Sequence, residues 1–382
     1  MTSHRLLSFV GSVRSFRVSA IALLVILGVV WSASKSFSAR SASEQSALTP
    51  LAALAAGFTL EGPFTHANLT VYVVRGSTSD AREYITLDEG LGARTVAVRE
   101  KTTRAGQDRA EVNTLEIENR SDKWLFLQAG DIVKGGKQDR TITTDLTLAP
   151  RSGPQPLEAF CVEHGRWTAA TGGNGLAFGS NPGIVSGASL KRAIQSEKSQ
   201  PRVWQEVAKA EDRAVKAVEA AGAPAPDGER LSSTGTYNAI AENKTLSANL
   251  DAYATALLPH VRKPTNAIGL AIAINGHVTS ADVYASPALF QRLSAKLVSS
   301  YALEALLARD ASQQMTVPTK QQVIAFLSKP AAARVATEAV GTSMQRSTRE
   351  TEEAVMYEYG HVSSPASAKA GIVVVHQSYL KK

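Results

Sequence analysis

From about Leu60 to Glu163 the chain is a succession of short β-rich runs separated by polar turns. Leu69–Val74, Tyr84–Leu87 and Thr95–Arg99 each read as a strand, rich in β-branched and aromatic residues. In Ala110–Ile117, Val112, Thr114 and Glu116 alternate with Asn113, Leu115 and Ile117, which is strand period. Trp124–Val133, a Lys-Gly-Gly corner and Gln138–Leu148 predict a hairpin, and Leu157–Glu163 one more strand. Six glycines between 171 and 189 predict a long loop, read either as a mobile lid or as a plain connection.

The period changes after residue 198. Pro201–Ala221 places Val203, Val207, Ala210, Ala214 and Val218 on one helical face. Residues 222–236 read as a linker or surface loop, and Leu246–Leu258 as a helix. Ala267–Ile274 and His277–Tyr284 flank Asn275-Gly276, a pair suited to a two-residue hairpin turn. Ser286 and Pro287 open a helix whose apolar face is Phe290, Leu293, Leu297 and Tyr301. A helix after Pro318 and strands over Arg334–Arg349, Glu353–Tyr359 and Gly371–Gln377 complete the pattern. The predicted class is α+β: an N-terminal antiparallel β-rich part (60–167) packed with a helical C-terminal part (198–382) that contributes a hairpin and closing strands. Residues 60–382 are expected to form one domain.

The N-terminus carries a different signal. Arg14 and Arg17 precede a charge-free apolar run, Val18 to Trp31, followed by a Ser/Ala-rich tether to about residue 59. A basic flank before a short apolar stretch marks residues 1–40 as a signal peptide or a retained signal-anchor. In either case the body is expected outside the cytoplasm, because the positive charges stay inside. A membrane contact is then expected only through an uncleaved anchor. Residues 34–57 read as a tether, with one short helix expected over Pro50 to Ala56.

Composition narrows the function classes. With 44% hydrophobic and 20% charged residues, the 382-residue chain has material for a core. Its formal charge of +7 is concentrated at the start: the first 40 residues hold five of the 41 basic residues and no acid, which leaves 36 basic and 34 acidic residues. A nearly neutral body is a poor surface for tracking phosphates, so nucleic acid is not an expected partner. The single Cys excludes a disulfide framework, and no His-Glu-x-x-His or second Cys-x-x-His half-site supports a metal. No Gly-x-Gly-x-x-Gly lies between a strand and a helix, and no Gly-Lys-Ser/Thr ends a phosphate loop, so no cofactor is called for.

Two segments are dense in chemistry-bearing residues: Ala129 to Arg140 (Ala-Gly-Asp-Ile-Val-Lys-Gly-Gly-Lys-Gln-Asp-Arg) and Phe160 to Trp167 (Phe-Cys-Val-Glu-His-Gly-Arg-Trp). Lys137, Gln138 and Arg140 sit at a hairpin corner, where an Arg fork suits phosphate or carboxylate; the alternative is a solvated turn. Glu163 is the candidate acid/base, with Arg166 or Lys137 setting its charge, against a structural Glu–Arg pair. Trp167 offers a stacking face or plugs the core edge. Cys161 reads as a small buried residue. Asp282 and Glu304 read as surface or structural carboxylates. Consecutive antiparallel strands bring the start of Gln138–Leu148 beside the end of Leu157–Glu163, so Lys137, Arg140, Glu163 and Arg166 are expected around one pocket.

With Gly269–Tyr284, Ser286–Phe290 and Ser300–Ala305, these segments resemble a domain family named for its association with ADP-ribosylglycohydrolases and rhodanese-phosphatase-superfamily proteins. The resemblance runs from about Leu60 to the C-terminus. It implies a link to NAD and ADP-ribose metabolism, and hence a phosphate- or ribose-bearing anionic ligand. The rival expectation is a non-enzymatic envelope protein whose Lys, Arg and Glu residues brace the β core or bind a protein partner.

Overall fold

The computed structural model describes residues 57–101, 113–164, 177–181, 183–222, 235–310, 315–362 and 371–382. The expected export segment, the short helix near Pro50, the 222–236 loop beyond Gly222 and before Gly235, and the positions of Arg166 and Trp167 lie outside them. Among the described residues no helix is long and apolar enough to cross a membrane.

Among the described residues the apolar runs build three sheets. The largest has eight antiparallel strands in the order β1 (Thr59–His66), β2 (Leu69–Arg75), β12 (Ala267–Ile274), β13 (His277–Tyr284), β17 (Ile372–Lys381), β16 (Ala354–Val362), β15 (Met344–Glu350) and β14 (Val335–Val340). A second has six, ordered β11 (Phe178–Gly179), β7 (Ile132–Gly135), β8 (Arg140–Ile142), β10 (Ser152–Cys161), β5 (Thr114–Asn119) and β4 (Val96–Glu100). The third contains β3 (Tyr84–Thr86), β6 (Trp124–Leu127) and β9 (Leu146–Leu148), with β3 and β6 parallel. Every residue of β12 is buried. That explains its continuous apolar run, since a strand covered on both faces has no solvent side to alternate with.

Among the described residues seven α-helices accompany the sheets: α1 (Leu87–Gly92), α2 (Ala188–Arg192), α3 (Gln200–Ala220), α4 (Tyr237–Glu242), α5 (Lys244–Arg262), α6 (Pro287–Leu307) and α7 (Lys320–Ser328). A single π-turn, Ala193–Glu197, continues α2. Helix α6 packs against β12 and α5. Buried residues surround it on all sides, Lys296 and Ser300 among them, as expected of a core helix. One cluster of buried apolar residues runs from Leu69 to Leu380 and joins the three sheets with α1 to α6. The fold is α+β.

Several elements differ from the sequence expectation in extent. Gln138–Leu148 is not one arm: β8 pairs with β10 and β9 with β6, in different sheets. The break falls at Asp145, whose carboxylate is drawn aside to accept the Ala129 N–H at 2.7 Å. Arg334–Arg349 is not one strand either, because the chain reverses at Gly341 (φ 57°) to form the β14–β15 hairpin. Ser286 stands at the N-cap of α6, yet its side chain makes no capping bond. The Asn275-Gly276 turn is as expected, with both residues in the left-handed region at φ 50° and 77°.

Candidate functional site

The two motif segments meet across neighbouring strands. Cys161 of β10 lies opposite Arg140 of β8. The Arg140 side chain is fully buried: Nη1 donates to Cys161 Sγ at 2.7 Å and to Gln138 Oε1 at 3.3 Å, and Nη2 to Glu100 Oε1 at 3.4 Å. The Lys137 backbone N–H donates to the same Glu100 oxygen at 3.0 Å. Glu163 Oε2 accepts the Asp139 N–H at 2.9 Å. Lys137, Gln138, Arg140 and Glu163 are therefore gathered around one turn. Glu100 and Asp139 join them, so three carboxylates stand in the cluster and the expected excess of positive charge is absent among the described residues. Arg140 Nε and Glu100 Oε2 are buried without hydrogen bonds. Burial pushes the Cys161 thiol and the Asp139 carboxyl up from their ordinary ranges, with Arg140 opposing in the first case and Asn238 in the second.

This cluster fastens two other segments. The Asp139 carboxylate accepts from Asn238 Nδ2 at 2.6 Å and from Thr236 Oγ1 at 3.3 Å, and the Val162 carbonyl accepts the Tyr237 N–H at 3.0 Å. Tyr237 is thus held from both neighbours and from its own backbone. At the other end of the motif, the Gly130 carbonyl accepts the Ser186 N–H at 2.8 Å, Asp131 bridges to Val185, and Thr141 Oγ1 lies 2.9 Å from Ser186 Oγ.

The two fastened segments form walls of a cavity of about 410 Å³. Gly187 and Ser189 line it from the glycine-rich stretch, Tyr237 from α4, Arg213 from α3, His277 and Thr279 from β13, and Glu304 from α6. Ala210 shares the apolar face of α3 but is only half-buried, because the cavity opens over it. The Tyr237 hydroxyl accepts the Gly187 N–H at 3.2 Å. The Glu304 carboxylate accepts the Ala188 N–H. Burial nevertheless raises the Glu304 carboxyl above the usual range, with the Ala188 bond and Lys191 opposing. Arg213 and Lys381 line the cavity with no carboxylate in ion-pair distance among the described residues.

Behind the cavity runs a buried charge network. Asp282 accepts from Tyr301, from Lys191 Nζ at 3.4 Å and from His376 Nε2 at 3.2 Å, and His376 Nδ1 meets Asp145 Oδ2 at 2.5 Å. Burial acts to raise the Asp282 carboxyl, but Lys191 and His376 outweigh it and hold the group well below the carboxylate range. Lys296 Nζ bridges Asp88 at 2.7 Å and Asp131 at 2.8 Å. Burial disfavours its charge, yet Asp131 and Asp88 together keep the ammonium's pKa raised. Asp282 is 1% exposed, which leaves the structural one of its two readings, surface or structural. Lys191, Lys296, Asp145 and His376 escape sequence reasoning; the available hint is a charge within an apolar run, as in the Val-Val-Val-His of β17.

Among the described residues no group of three or more His, Cys, Asp or Glu is placed to share a metal ion. The family model for the ARG and rhodanese-phosphatase-superfamily-associated protein domain matches residues 57–379. Comparison with the curated proteins and with the solved structures finds no match.

Proposed function

The chain belongs to the ARG and rhodanese-phosphatase-superfamily-associated protein family, and from that premise we propose that it binds a small anionic metabolite, phosphate- or ribose-bearing, in the cavity between Tyr237 and Glu304. The observation that carries this reading is the charge placement in that cavity. Among the described residues Arg213 and Lys381 have no carboxylate within ion-pair distance, although Glu353 feels the charge of Lys381. Glu206, the other carboxylate of the lining, is paired with Arg202 and Lys209, and burial raises the Glu304 carboxyl. The two cations balance the anion, and the Glu304 carboxyl, raised by burial, is placed to meet a ligand hydroxyl. The volume falls within the range of small-ligand sites. The family's association with ADP-ribosylglycohydrolases motivates the ligand class. In this reading the motif residues are positioning residues: Asp139 and Val162 set Tyr237, and Gly130 and Thr141 set the 185–191 wall.

The test is a thermal-shift series on the full chain with ADP-ribose, AMP, ribose 5-phosphate and inorganic phosphate. A binder raises the melting temperature with concentration, because it stabilises only the folded state. Ala210→Trp fills the cavity and Arg213→Glu reverses its charge; each is expected to abolish the shift. A shift that survives both variants overturns the assignment. Absence of any shift favours the rival reading of a non-enzymatic envelope protein.

A second reading keeps the ligand at the motif turn, on Lys137, Gln138, Arg140, Arg166 and Trp167, with Glu163 as acid/base. It is supported by the buried, unbonded Arg140 Nε and Glu100 Oε2, since such atoms call for a partner. Here Lys137→Ala removes the shift and Ala210→Trp leaves it. The proposal also sets the protein in the cell envelope, exported or tethered through residues 1–40. A reporter fused after Lys382 is then active only outside the cytoplasm, and activity of a cytoplasm-only reporter would refute it.

A further inference from the structure

A second cleft, of about 610 Å³, lies where the β14–β15 hairpin crosses β9, β10 and the π-turn. Its walls are mainly apolar: Leu146, Leu157, Phe160, Ile194 and Val340 all face it. One end is cationic. Arg346 is 5% exposed, its guanidinium lies 5.6 Å from the centre of the Tyr357 ring, and its Nε is buried with no hydrogen bond. Lys198 stands at the same end, half in solvent.

Both cations are engaged by one side chain. Glu338 meets Arg346 Nη2 at 2.7 Å and Lys198 Nζ at 3.3 Å. It projects from β14, the edge strand of the large sheet, and its side chain is 45% exposed. A carboxylate half in water has little to lose by returning to water, whereas a buried guanidinium needs an anion. Glu338 thus occupies the place of an exchangeable carboxylate at the head of an apolar cleft.

We infer that this cleft binds an amphipathic monocarboxylate of the fatty-acid type, with its chain among Leu146, Phe160, Ile194 and Val340 and its carboxylate replacing Glu338 on Arg346 and Lys198. The charge count selects a monoanion. With Glu338 displaced, two cations face the one remaining carboxylate that lines the cleft, Glu158, which leaves a single positive charge to balance. The donor that Glu338 vacates is Arg346 Nη2, which the incoming head group takes over. This site shares no lining residue with the cavity at Tyr237.

Calorimetric titration of the full chain with decanoate, and with decanol as the uncharged control, tests the assignment. Saturable one-to-one binding of decanoate is expected, with decanol weaker by about tenfold or more, because the alcohol leaves the cations without an anion. Glu338→Gln removes the internal competitor and is expected to tighten decanoate roughly fivefold. Val340→Trp narrows the cleft and is expected to abolish binding, while Ala210→Trp in the other cavity leaves it unchanged. Arg346→Met is expected to bring decanoate down to the level of decanol; if that variant does not fold, Lys198→Ala carries the same test with a smaller loss. Lack of saturable decanoate binding to both the wild type and Glu338→Gln overturns the inference, as does equal binding of decanol.

Discussion

The His376 imidazole lies parallel to the Tyr284 ring, with 4.3 Å between centroids and 10° between planes, and the two residues are directly opposed on neighbouring strands. An imidazolium over an aromatic face is attracted by the ring, which offsets part of the cost of burying its charge. Burial alone pulls the His376 pKa down, but Asp145 and then Asp282 outweigh it and push it up to about 9. The folded-state value stands above the ordinary 6.5, so the contribution to stability is complete below that pH and lost as pH rises through 9. His376→Gln is expected to cost about 3 kcal/mol at pH 6 and clearly less at pH 9.5. Denaturant unfolding of both proteins from pH 6 to 9.5 measures this; parallel stability curves would exclude a charged His376.

Arg140 and Glu100 form an ion pair in which both side chains are fully buried. Removing one partner leaves the other as an uncompensated charge. Arg140→Met is therefore expected to destabilise by about 3–5 kcal/mol, and Glu100→Gln by a similar amount. Combining them recovers part of the loss, since no orphaned charge remains. A double-mutant cycle from urea midpoints gives the coupling; simple additivity contradicts a direct pair. The position of Arg140 in sequence suggests a residue that can be removed at little cost in stability, and its burial reverses that expectation.

The local grammar of this fold is legible because it is carried by neighbours in sequence. Asn275-Gly276 specifies its own hairpin, and Pro287 its own helix start. Ala267–Ile274 announces burial by composition alone. β8 and β10 pair although β9 departs to another sheet between them, so the expected nearness of Arg140 and the Glu163 segment rests on a pairing of strands that are not consecutive. The charge network obeys no such rule. Lys296 reaches Asp131 across 165 residues, and His376 reaches Asp145 across 231. No periodicity encodes such pairings, and Lys296 read alone resembles a solvated helix position. Glu100 is hidden for the same reason: its meaning depends on Arg140, 40 residues away.

Cys161 is the only cysteine, is 1% exposed and receives a hydrogen bond from Arg140. Burial raises its thiol pKa, with Arg140 opposing only in part. Such a thiol is protonated at neutral pH and inaccessible. Labelling by a thiol reagent is expected to be slow in the native protein and fast in urea. Cys161→Ala should cost about 1–2 kcal/mol through lost packing and a lost partner for Arg140. Native labelling as fast as that of a free thiol would establish an open, reactive cysteine.

Gly130 joins the motif to the cavity wall, and one methyl group tests that joint. Its φ of 93° is a conformation that L side chains rarely adopt. A Cβ there would lie 3.2 Å from Lys191 Cγ and Cε and from Ser186 Cβ. Lys191 is the ammonium that faces Asp282, and Ser186 belongs to the segment that lines the cavity at Gly187 and Ser189. Gly130→Ala therefore combines backbone strain with displacement of a buried cation, at a cost of roughly 2–4 kcal/mol. Gly153 provides the control, since a Cβ added there meets nothing within 4 Å; Gly153→Ala is expected to stay within about 0.5 kcal/mol of wild type. Because the strain is transmitted to the 185–191 wall, Gly130→Ala should also weaken any ligand that Ala210→Trp excludes, at a temperature where both proteins remain folded. Equal melting temperatures for the two glycine variants would show that Gly130 holds nothing in place.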